Sequence, residues 1–323
     1  MHQILITSRA FNPRSESARI LTEAGHELVY AKSARDLTEG ELVSLLTPAR
    51  FSAIIADLDA FTAKAIAAAA PVLKIIARFG TGYNTVDVAA ANQGGVIVTN
   101  TPGANAVSVA ELTIGLFICL SRYILPQDRI IREGNWKRIV GPELAGKTVS
   151  LIGMGAIGSE VAKRCRVFGI NVLACDPFPR PGLDTQLGFQ YVDFETAMRR
   201  ADFVSLHSPV TPENCGFINK TTLELMKPSA FLINTARGEL INENDLYNAL
   251  FQKQIAGAAL DAFQQEPPRD ERFFKLDNVI LTPHIGGNSF EAIERMGLGA
   301  AQEVLRVLAG EPPLNPVKPL PGK

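Results

Sequence analysis

The stretch TVSLIGMGAIG, residues 148–158, decides the fold of this chain. Its first five residues are mostly apolar and predict a buried parallel strand, and residues 159–165 continue with helical character. A G-x-G-x-x-G turn between a strand and a helix is typical of a dinucleotide-binding site, because the glycines allow a tight turn and close approach to a pyrophosphate. The first N–H groups of the helix then face the phosphates. We therefore predict cofactor contacts at Gly153, Gly155, Ala156, Ile157 and Gly158.

An acidic residue follows the next predicted strand. Residues 171–175 form an apolar segment that ends at Asp176, 18 positions after Gly158. A carboxylate at this distance accepts hydrogen bonds from the adenosine ribose and repels a 2′-phosphate, so we predict NAD rather than NADP as the cofactor. Arg180 lies nearby and could soften this preference.

Two series of strands alternate with helical segments along the chain. The first series comprises residues 3–6, 27–30, 53–56, 74–77 and 96–98, and the second comprises 149–152, 172–175, 203–206, 231–234, 256–260 and 279–281. Short apolar strands that alternate with helices predict parallel sheets covered on both faces. Six strands in the second series match a complete doubly wound nucleotide-binding domain.

A further helical pattern, residues 289–309, follows the last strand. Since the nucleotide sheet is complete by then, we expect this helix to return to the first domain. The predicted α/β architecture has two doubly wound parallel-sheet domains. One is a substrate domain of residues 1–101 plus 289–323, and the other is an inserted NAD-binding Rossmann domain of residues 102–288. The proline-rich end near residues 311–316 is expected to be a trailing tail.

Composition excludes several classes of function. The formal net charge is −1, which provides no field to attract nucleic acid or an anionic membrane. The four cysteines have no C-x-x-C spacing, so we predict reduced thiols and no metal site. The first residues lack a basic segment followed by a long apolar run, so we expect no signal peptide and a cytoplasmic location.

Three polar residues lie just beyond late strands, where α/β sheets bind their ligands. Arg237 could hold a carboxylate with its guanidinium fork, and His284 could exchange a proton near neutral pH. Glu266 could fix the imidazole tautomer and favour its protonated form. Taken singly, Arg237 could be a surface residue, Glu266 a loop residue and His284 a buried histidine with a structural role. His207 is a competing histidine at a strand end. Together with a nucleotide site, the set predicts reduction of a 2-oxo acid.

The chain resembles the D-isomer-specific 2-hydroxyacid dehydrogenase family over roughly residues 50–315. The resemblance is carried by these segments: RFGTGYNTVD (78–87), NTPGAN (100–105), VAE (109–111), the glycine turn, NTARG (234–238), GAALD (257–261), EPP (266–268) and PHIGG (283–287).

This resemblance implies a Rossmann domain inserted into a flavodoxin-like substrate domain. It implies that Arg237 anchors the substrate, that His284 is the acid/base and that Glu266 is its partner. It implies that Asp261 binds the nicotinamide carboxamide. It also implies that the substrate carboxylate is bound by the loop of Arg78, Phe79, Gly80, Thr81 and Gly82. Further cofactor contacts are implied at these residues: Pro177, His207, Ser208, Pro209, Thr235, Ala236, Gly286 and Gly287. It also implies a homodimer, with contacts expected along residues 109–120 and 130–142.

The substrate is the open part of the interpretation. The chain most resembles family members that act on D-3-phosphoglycerate, in a short form without a regulatory domain, and D-3-phosphoglycerate is therefore the first candidate substrate. Arg78 and Arg138 are candidate phosphate ligands, but Asp57 and Asp59 would repel phosphate. Reduction of hydroxypyruvate or glyoxylate by the same residues is the main alternative, and an NAD-sensing corepressor is another.

Overall fold

The computed structural model describes residues 1–33, 35–48 and 50–319 and divides the chain into two compact units. Unit 1 comprises Met1–Asn105 and Gly287–Lys323, and unit 2 comprises Ala106–Gly286. The predicted limits at residues 101 and 288 lie within a few positions of these crossings. The last predicted residues of the substrate domain, 320–323, lie outside the described residues.

Unit 1 is a five-stranded parallel sheet with helices on both faces. Its sheet order is β2-β1-β3-β4-β5. Its strands are β1 (Gln3–Ile6), β2 (Glu27–Tyr30), β3 (Phe51–Ala56), β4 (Ile75–Arg78) and β5 (Ile97–Thr99). Its helices are α1 (Glu16–Glu23), α2 (Glu39–Leu46), α3 (Ala63–Ala69), α4 (Val88–Gln93) and α12 (Phe290–Leu308).

Unit 2 is a seven-stranded parallel sheet of order β12-β11-β10-β9-β6-β7-β8. Its strands are β6 (Thr148–Ile152), β7 (Asn171–Cys175), β8 (Gln190–Tyr191), β9 (Phe203–Leu206), β10 (Phe231–Asn234), β11 (Gly257–Leu260) and β12 (Val279–Leu281). Its helices are α5 (Ala106–Ser121), α6 (Ile124–Arg132), α7 (Ala156–Val167), α8 (Leu183–Leu187), α9 (Phe194–Arg200), α10 (Lys220–Leu223) and α11 (Glu243–Phe251). Two short 3-10 helices, Gly238–Leu240 and Phe273–Lys275, complete it.

Alternating side chains of each strand enter different cores, which explains the covering of both sheet faces. In unit 2, Leu232 of β10 packs in one buried cluster, whereas Phe231 and Ile233 pack in the other. In unit 1, Ile54 lies in one cluster and Ile55 in the other. Period-two alternation in strands that are apolar at every position is expected for a parallel sheet between helical layers. The predicted α/β class with two parallel sheets is confirmed.

Helix α12 belongs to unit 1 although it follows the whole of unit 2 in sequence. Its apolar face includes Met296 and Val304, which pack in one buried cluster with Ile4 and Phe79. Ser289 caps the helix by accepting a hydrogen bond from the backbone N–H of Ala292, at 3.1 Å. The described residues place this helix against the sheet of unit 1.

The sequence interpretation was wrong at two places in the fold. The seventh strand, Gln190–Tyr191, was missed because two residues at a sheet edge give too short a pattern. The segment after α12 is not a loose tail. Buried Glu303 accepts hydrogen bonds from the backbone N–H groups of Leu314 and Asn315, and Val317 N donates to the carbonyl of Val98 at 2.9 Å.

Among the described residues, no single helix has the length and apolar character needed to cross a membrane. Helices α5 and α6 would meet these criteria only as a pair, which is bent by 62°. The four cysteines are free, and their exposure ranges from buried Cys165 to exposed Cys215.

Candidate active site

The glycine turn lies where the order of the unit 2 sheet reverses direction. Strand β6 is flanked by β7 on one side and by β9 on the other, and open α/β sheets bind ligands at such a switch point. Gly153 has φ +102°, and a Cβ there would lie 2.8 Å from the backbone of His207 and of Ser208, at the end of β9. A Cβ on Gly158 would collide with the carbonyl oxygen of Gly153. Both glycines are therefore required by close backbone packing.

Gly155 faces open space, since a Cβ there would meet no atom within 4 Å. It is the N-cap of the 12-residue helix α7, which begins at Ala156 and includes Ile157 and Gly158 in its first turn. The first N–H groups of such a helix have no partner within the helix and favour an anion. This geometry fits the pyrophosphate of a dinucleotide.

Asp176 follows β7 and lies against the same turn. Its Oδ2 accepts a hydrogen bond from Met154 N at 2.7 Å, and its Oδ1 accepts one from Phe178 N at 2.8 Å. A carboxylate oxygen can accept more than one hydrogen bond, so Asp176 retains capacity for ribose hydroxyls. Pro177 is exposed beside it.

The segment after β9 also fits a cofactor. The Oγ of Ser208 and the Nδ1 of His207 are buried without a hydrogen-bond partner among the described residues, which is a costly state that a polar ligand group could relieve. Pro209 is held at its carbonyl by the Asn214 side chain, at 2.7 Å. Burial lowers the pKa of His207 to about 3, so its imidazole is neutral at physiological pH. His207 is therefore unsuited to proton donation, which leaves His284 as the candidate.

Three neighbouring strands bring the polar triad together. Arg237 follows β10, Glu266 follows β11 and His284 follows β12, and these strands are adjacent in the sheet. His284 Nδ1 lies 2.8 and 2.9 Å from the two carboxylate oxygens of Glu266. Both side chains are about three-tenths exposed, with values of 29% and 28%. The two side chains can thus be reached by a small ligand, although most of their surface is covered by the protein.

The charges around Glu266 and Arg237 are coupled. Burial acts to raise the pKa of Glu266, but the hydrogen bond and charge of His284, the N–H of Phe263 and the charge of Arg237 together lower it below its usual value. Burial also lowers the pKa of Arg237, against the opposing charges of Glu239 and Glu266. A guanidinium nevertheless stays protonated in a protein. The site therefore combines a fixed cation with a carboxylate-imidazole pair.

His284 has an unusual backbone conformation. Its φ is +53°, in the left-handed region that non-glycine residues rarely adopt. Its N–H donates to the carbonyl of Thr282 at 3.0 Å. Such strain persists only where the surroundings impose it, and it is concentrated at functional sites.

Asp261 imposes this conformation. It is almost fully buried, and its carboxylate accepts hydrogen bonds from Thr282 Oγ1 at 2.6 Å, Ile285 N at 2.8 Å and Gly286 N at 2.8 Å. Burial raises the pKa of Asp261, although these three bonds and the charge of His284 act against the shift. Asp261 is thus a positioning residue for the segment that carries His284. The predicted contact with the nicotinamide carboxamide stays a prediction.

The remaining predicted cofactor residues make hydrogen bonds or close contacts within their own units. Thr235 Oγ1 is 3.1 Å from the hydroxyl of Thr113, and Ala236 N donates to Asn234 Oδ1 at 3.0 Å. Gly286 accepts a hydrogen bond from Ser108 Oγ at its carbonyl, at 2.7 Å. Gly287 begins the second segment of unit 1, where a Cβ would lie 3.4 Å from the Asn105 side chain.

Sequence reasoning missed Asn234. This fully buried side chain donates from Nδ2 to the carbonyl of Arg237 at 2.7 Å and accepts from Ala236 N, so it closes the turn that carries the arginine. The available signal was an asparagine as the last residue of an apolar strand. Its amide satisfies backbone groups that the end of the strand leaves without partners.

Two residues of the predicted substrate loop in unit 1, Arg78 and Phe79, make hydrogen bonds within the protein that differ from the expected ligand contacts. Arg78 is 2% exposed and donates from Nε to the carbonyl of Gly82 at 2.9 Å and from Nη1 to that of Ala56 at 2.7 Å. The Arg78 side chain therefore stabilises the loop through its backbone carbonyls. This corrects the interpretation of Arg78 as a phosphate ligand. The N–H of Phe79 donates to the carbonyl of Ala56 at 2.8 Å. Because the N–H of Phe79 is already bonded, the backbone N–H groups that could bind a substrate carboxylate are those of residues 80–82.

The other residues of this loop are fixed by hydrogen bonds within unit 1. Thr101 N donates to the carbonyl of Gly80 at 3.0 Å, and Asn100 Nδ2 donates to the carbonyl of Thr81 at 2.7 Å. Thr81 Oγ1 lies 3.2 Å from Asn105 Oδ1. A rigid loop is suited to hold a ligand in one orientation.

The chain is similar to known dehydrogenases and reductases. Residues 114–286 match the model of the D-isomer specific 2-hydroxyacid dehydrogenase NAD binding domain. A glyoxylate reductase of Thermococcus litoralis is 41% identical over 76% of this chain and 77% of its own length. A D-3-phosphoglycerate dehydrogenase of Methanocaldococcus jannaschii is 39% identical over 96% of this chain, which spans 58% of that protein. The crystal structure of the TT0316 protein of Thermus thermophilus superimposes with a TM-score of 0.89 at 34% identity, covering 98% of this chain and all of the other.

The Glu266–His284 pair generates a prediction about catalysis. Glu266→Gln replaces the carboxylate that lies 2.8 and 2.9 Å from His284 Nδ1 with a neutral amide of nearly the same shape. Because a neutral acceptor binds an N–H less strongly than a carboxylate does, we expect kcat for reduction to fall by about tenfold. Steady-state kinetics measure this loss, and a fluorescence titration should show an unchanged Kd for NADH. A variant with the kcat of the wild type would contradict the assigned role of Glu266.

Proposed function

Because the chain belongs to the D-isomer specific 2-hydroxyacid dehydrogenase family, we propose that it reduces a small, unphosphorylated 2-oxo acid, such as glyoxylate or hydroxypyruvate, to the corresponding 2-hydroxy acid. The chain is an NAD-dependent oxidoreductase of 2-hydroxy acids. The observation that carries reduction of a 2-oxo acid is the hydrogen bond between His284 Nδ1 and the Glu266 carboxylate, in the same unit as the glycine turn.

The residues of unit 2 divide the work of the reaction. NADH, when bound, supplies the hydride. Arg237 pairs its guanidinium with the substrate carboxylate and polarises the neighbouring carbonyl. His284 donates a proton from Nε2 to the oxygen that gains negative charge, because Nδ1 is engaged by Glu266. In the oxidation direction the same nitrogen accepts the proton from the hydroxyl group.

The preference for an unphosphorylated substrate rests on charges in unit 1. Ala56 of β3 is paired with Arg78 of β4, so Asp57 follows β3 at the sheet edge where the loop 79–82 follows β4. Asp57 is partly exposed and accepts a hydrogen bond from Ser8 Oγ at 3.1 Å. A carboxylate at the carboxyl end of these strands repels a phosphate group, and the guanidinium of Arg78 is bonded to backbone carbonyls.

Asp59 is not part of this argument, although the sequence pairs it with Asp57. It is 1% exposed, and its Oδ1 accepts the N–H of Leu37 at 2.7 Å. It therefore acts within the fold of unit 1. Of these two acidic residues, Asp57 is the one that could oppose a phosphorylated ligand at this edge.

D-3-phosphoglycerate is the second candidate substrate. It is supported by the 39% identity to the Methanocaldococcus jannaschii enzyme, which extends over nearly the whole of this chain. The catalytic residues would be the same for this substrate, so only the groups around the substrate's far end distinguish the two candidates.

A homodimer is also part of the proposal. Helix α6 has no buried residue, and the segment around it exposes Ile131, Trp136 and Val140, by 52%, 82% and 93%. Exposed apolar side chains gathered in one segment are typical of an interaction surface. Light scattering should give twice the mass of the chain, and Trp136→Asp combined with Val140→Asp should reduce it to the monomer. A wild-type mass of one chain would contradict the dimer.

The substrate proposal is tested by kcat/KM with NADH for glyoxylate, hydroxypyruvate and phosphohydroxypyruvate. We expect wild-type protein to favour an unphosphorylated acid. Asp57→Asn should raise the value for phosphohydroxypyruvate relative to hydroxypyruvate by about fivefold, since about 1 kcal/mol is a typical effect of one partly exposed charge.

Glu27→Gln is the matched control, because Glu27 is the first residue of β2 and so lies at the amino ends of the strands, away from Asp57. It should leave the ratio of the two kcat/KM values unchanged. A wild-type preference for phosphohydroxypyruvate would support the second candidate. Consumption of none of the 2-oxo acids, with NADH-dependent binding of a protein partner, would favour the corepressor hypothesis over catalysis.

A further inference from the structure

The side chain of Arg180 reaches back over the glycine turn. Arg180 lies between β7 and α8, and its N–H donates to the Tyr191 hydroxyl at 3.1 Å. Its Nη2 donates to the carbonyl of Met154 at 2.5 Å and to Ser159 Oγ at 2.7 Å. The guanidinium is thereby fixed at the turn that meets the cofactor, although the residue as a whole is exposed.

Asp176 and Arg180 bind the same residue of this turn. The carboxylate of Asp176 accepts the N–H of Met154, and the guanidinium of Arg180 donates to the carbonyl of Met154. An anion and a cation therefore both bind the backbone of one residue. The anion disfavours a phosphate on the adenosine ribose, and the cation offsets that repulsion at short range.

The guanidinium retains donors for a ligand. A guanidinium has five N–H groups in a planar fork, and both hydrogen bonds at the turn come from Nη2. Among the described residues, Nε and Nη1 of Arg180 make no hydrogen bond. A phosphate is a ligand that such a fork binds through two parallel hydrogen bonds.

We propose that Arg180 enables the glycine-turn site to bind NADPH in addition to NADH, by holding the 2′-phosphate. The repulsion by Asp176 and the attraction by Arg180 act on the same group, so the affinity for NADPH depends on the balance between these two residues. Arg180 is thus a specificity-determining residue for the cofactor. This inference concerns cofactor binding and is independent of which 2-oxo acid is reduced.

The test is fluorescence titration of NADH and NADPH with the purified protein, which measures binding without turnover. We expect wild-type protein to bind NADPH with a Kd within about tenfold of that for NADH. Arg180→Gln should raise the ratio Kd(NADPH)/Kd(NADH) by about tenfold or more, as for loss of a charge-assisted hydrogen bond. Arg180→Lys, which keeps the charge but not the fork, should give an intermediate ratio.

Arg199→Gln is the matched control, because it also removes one arginine from unit 2 and Arg199 is paired at the surface with Glu195 of α9. It should leave the ratio unchanged. If Arg180 only stabilises the turn, Arg180→Gln will weaken NADH and NADPH equally, and the unchanged ratio would overturn the proposal. Failure of wild-type protein to bind NADPH at concentrations well above its Kd for NADH would overturn it as well.

Discussion

The buried carboxylate of Asp261 is the interaction on which the candidate active site depends. It accepts three hydrogen bonds from the segment 282–286 and so holds His284 in a left-handed conformation. Hydrogen bonds to a charged group contribute about 1.5–3 kcal/mol each, whereas a strained non-glycine residue costs about 1–3 kcal/mol. Three such bonds are therefore sufficient to maintain the strain. The consequence is that the imidazole faces Glu266 at hydrogen-bonding distance.

The sheet of unit 2 explains why these groups lie together. Adjacent parallel strands end at one edge, so the residues after β10, β11 and β12 are neighbours although Arg237 and His284 are far apart in sequence. The turn after each strand is closed by a side chain: Asn234 after β10, and Asp261 after β11 and β12. At the switch point of the same sheet, the glycine turn packs against the end of β9. One scaffold thus positions both the proposed acid/base pair and the glycine turn.

Sequence patterns were sufficient to predict features that depend on the residues within one segment and on the order of the strands. The bounds predicted for β9 and β10 are those of the structure, because short apolar runs between turns are read directly from the sequence. The environment of a charged side chain was not predictable in this way. Arg78 appeared available for a ligand, yet it is buried against backbone carbonyls, and Asp59 appeared equivalent to Asp57, yet it is bonded within unit 1. Burial and the direction of a side chain depend on tertiary packing, which residue type and spacing do not encode. The left-handed His284 and its restraint by Asp261 likewise require coordinates.

A double-mutant cycle of Asp261→Asn and His284→Ala tests the positioning account most directly. Asparagine keeps one acceptor but replaces the other with an amide that cannot accept the Gly286 N–H, so Asp261→Asn alone should lower kcat by about 100-fold. His284→Ala should lower kcat by about 1,000-fold through loss of proton transfer while NADH binding persists. If Asp261 acts through His284, adding Asp261→Asn to His284→Ala will change kcat less than about threefold, because coupled residues are not additive. A further loss equal to that of Asp261→Asn alone would contradict the account and show that Asp261 acts independently of the histidine.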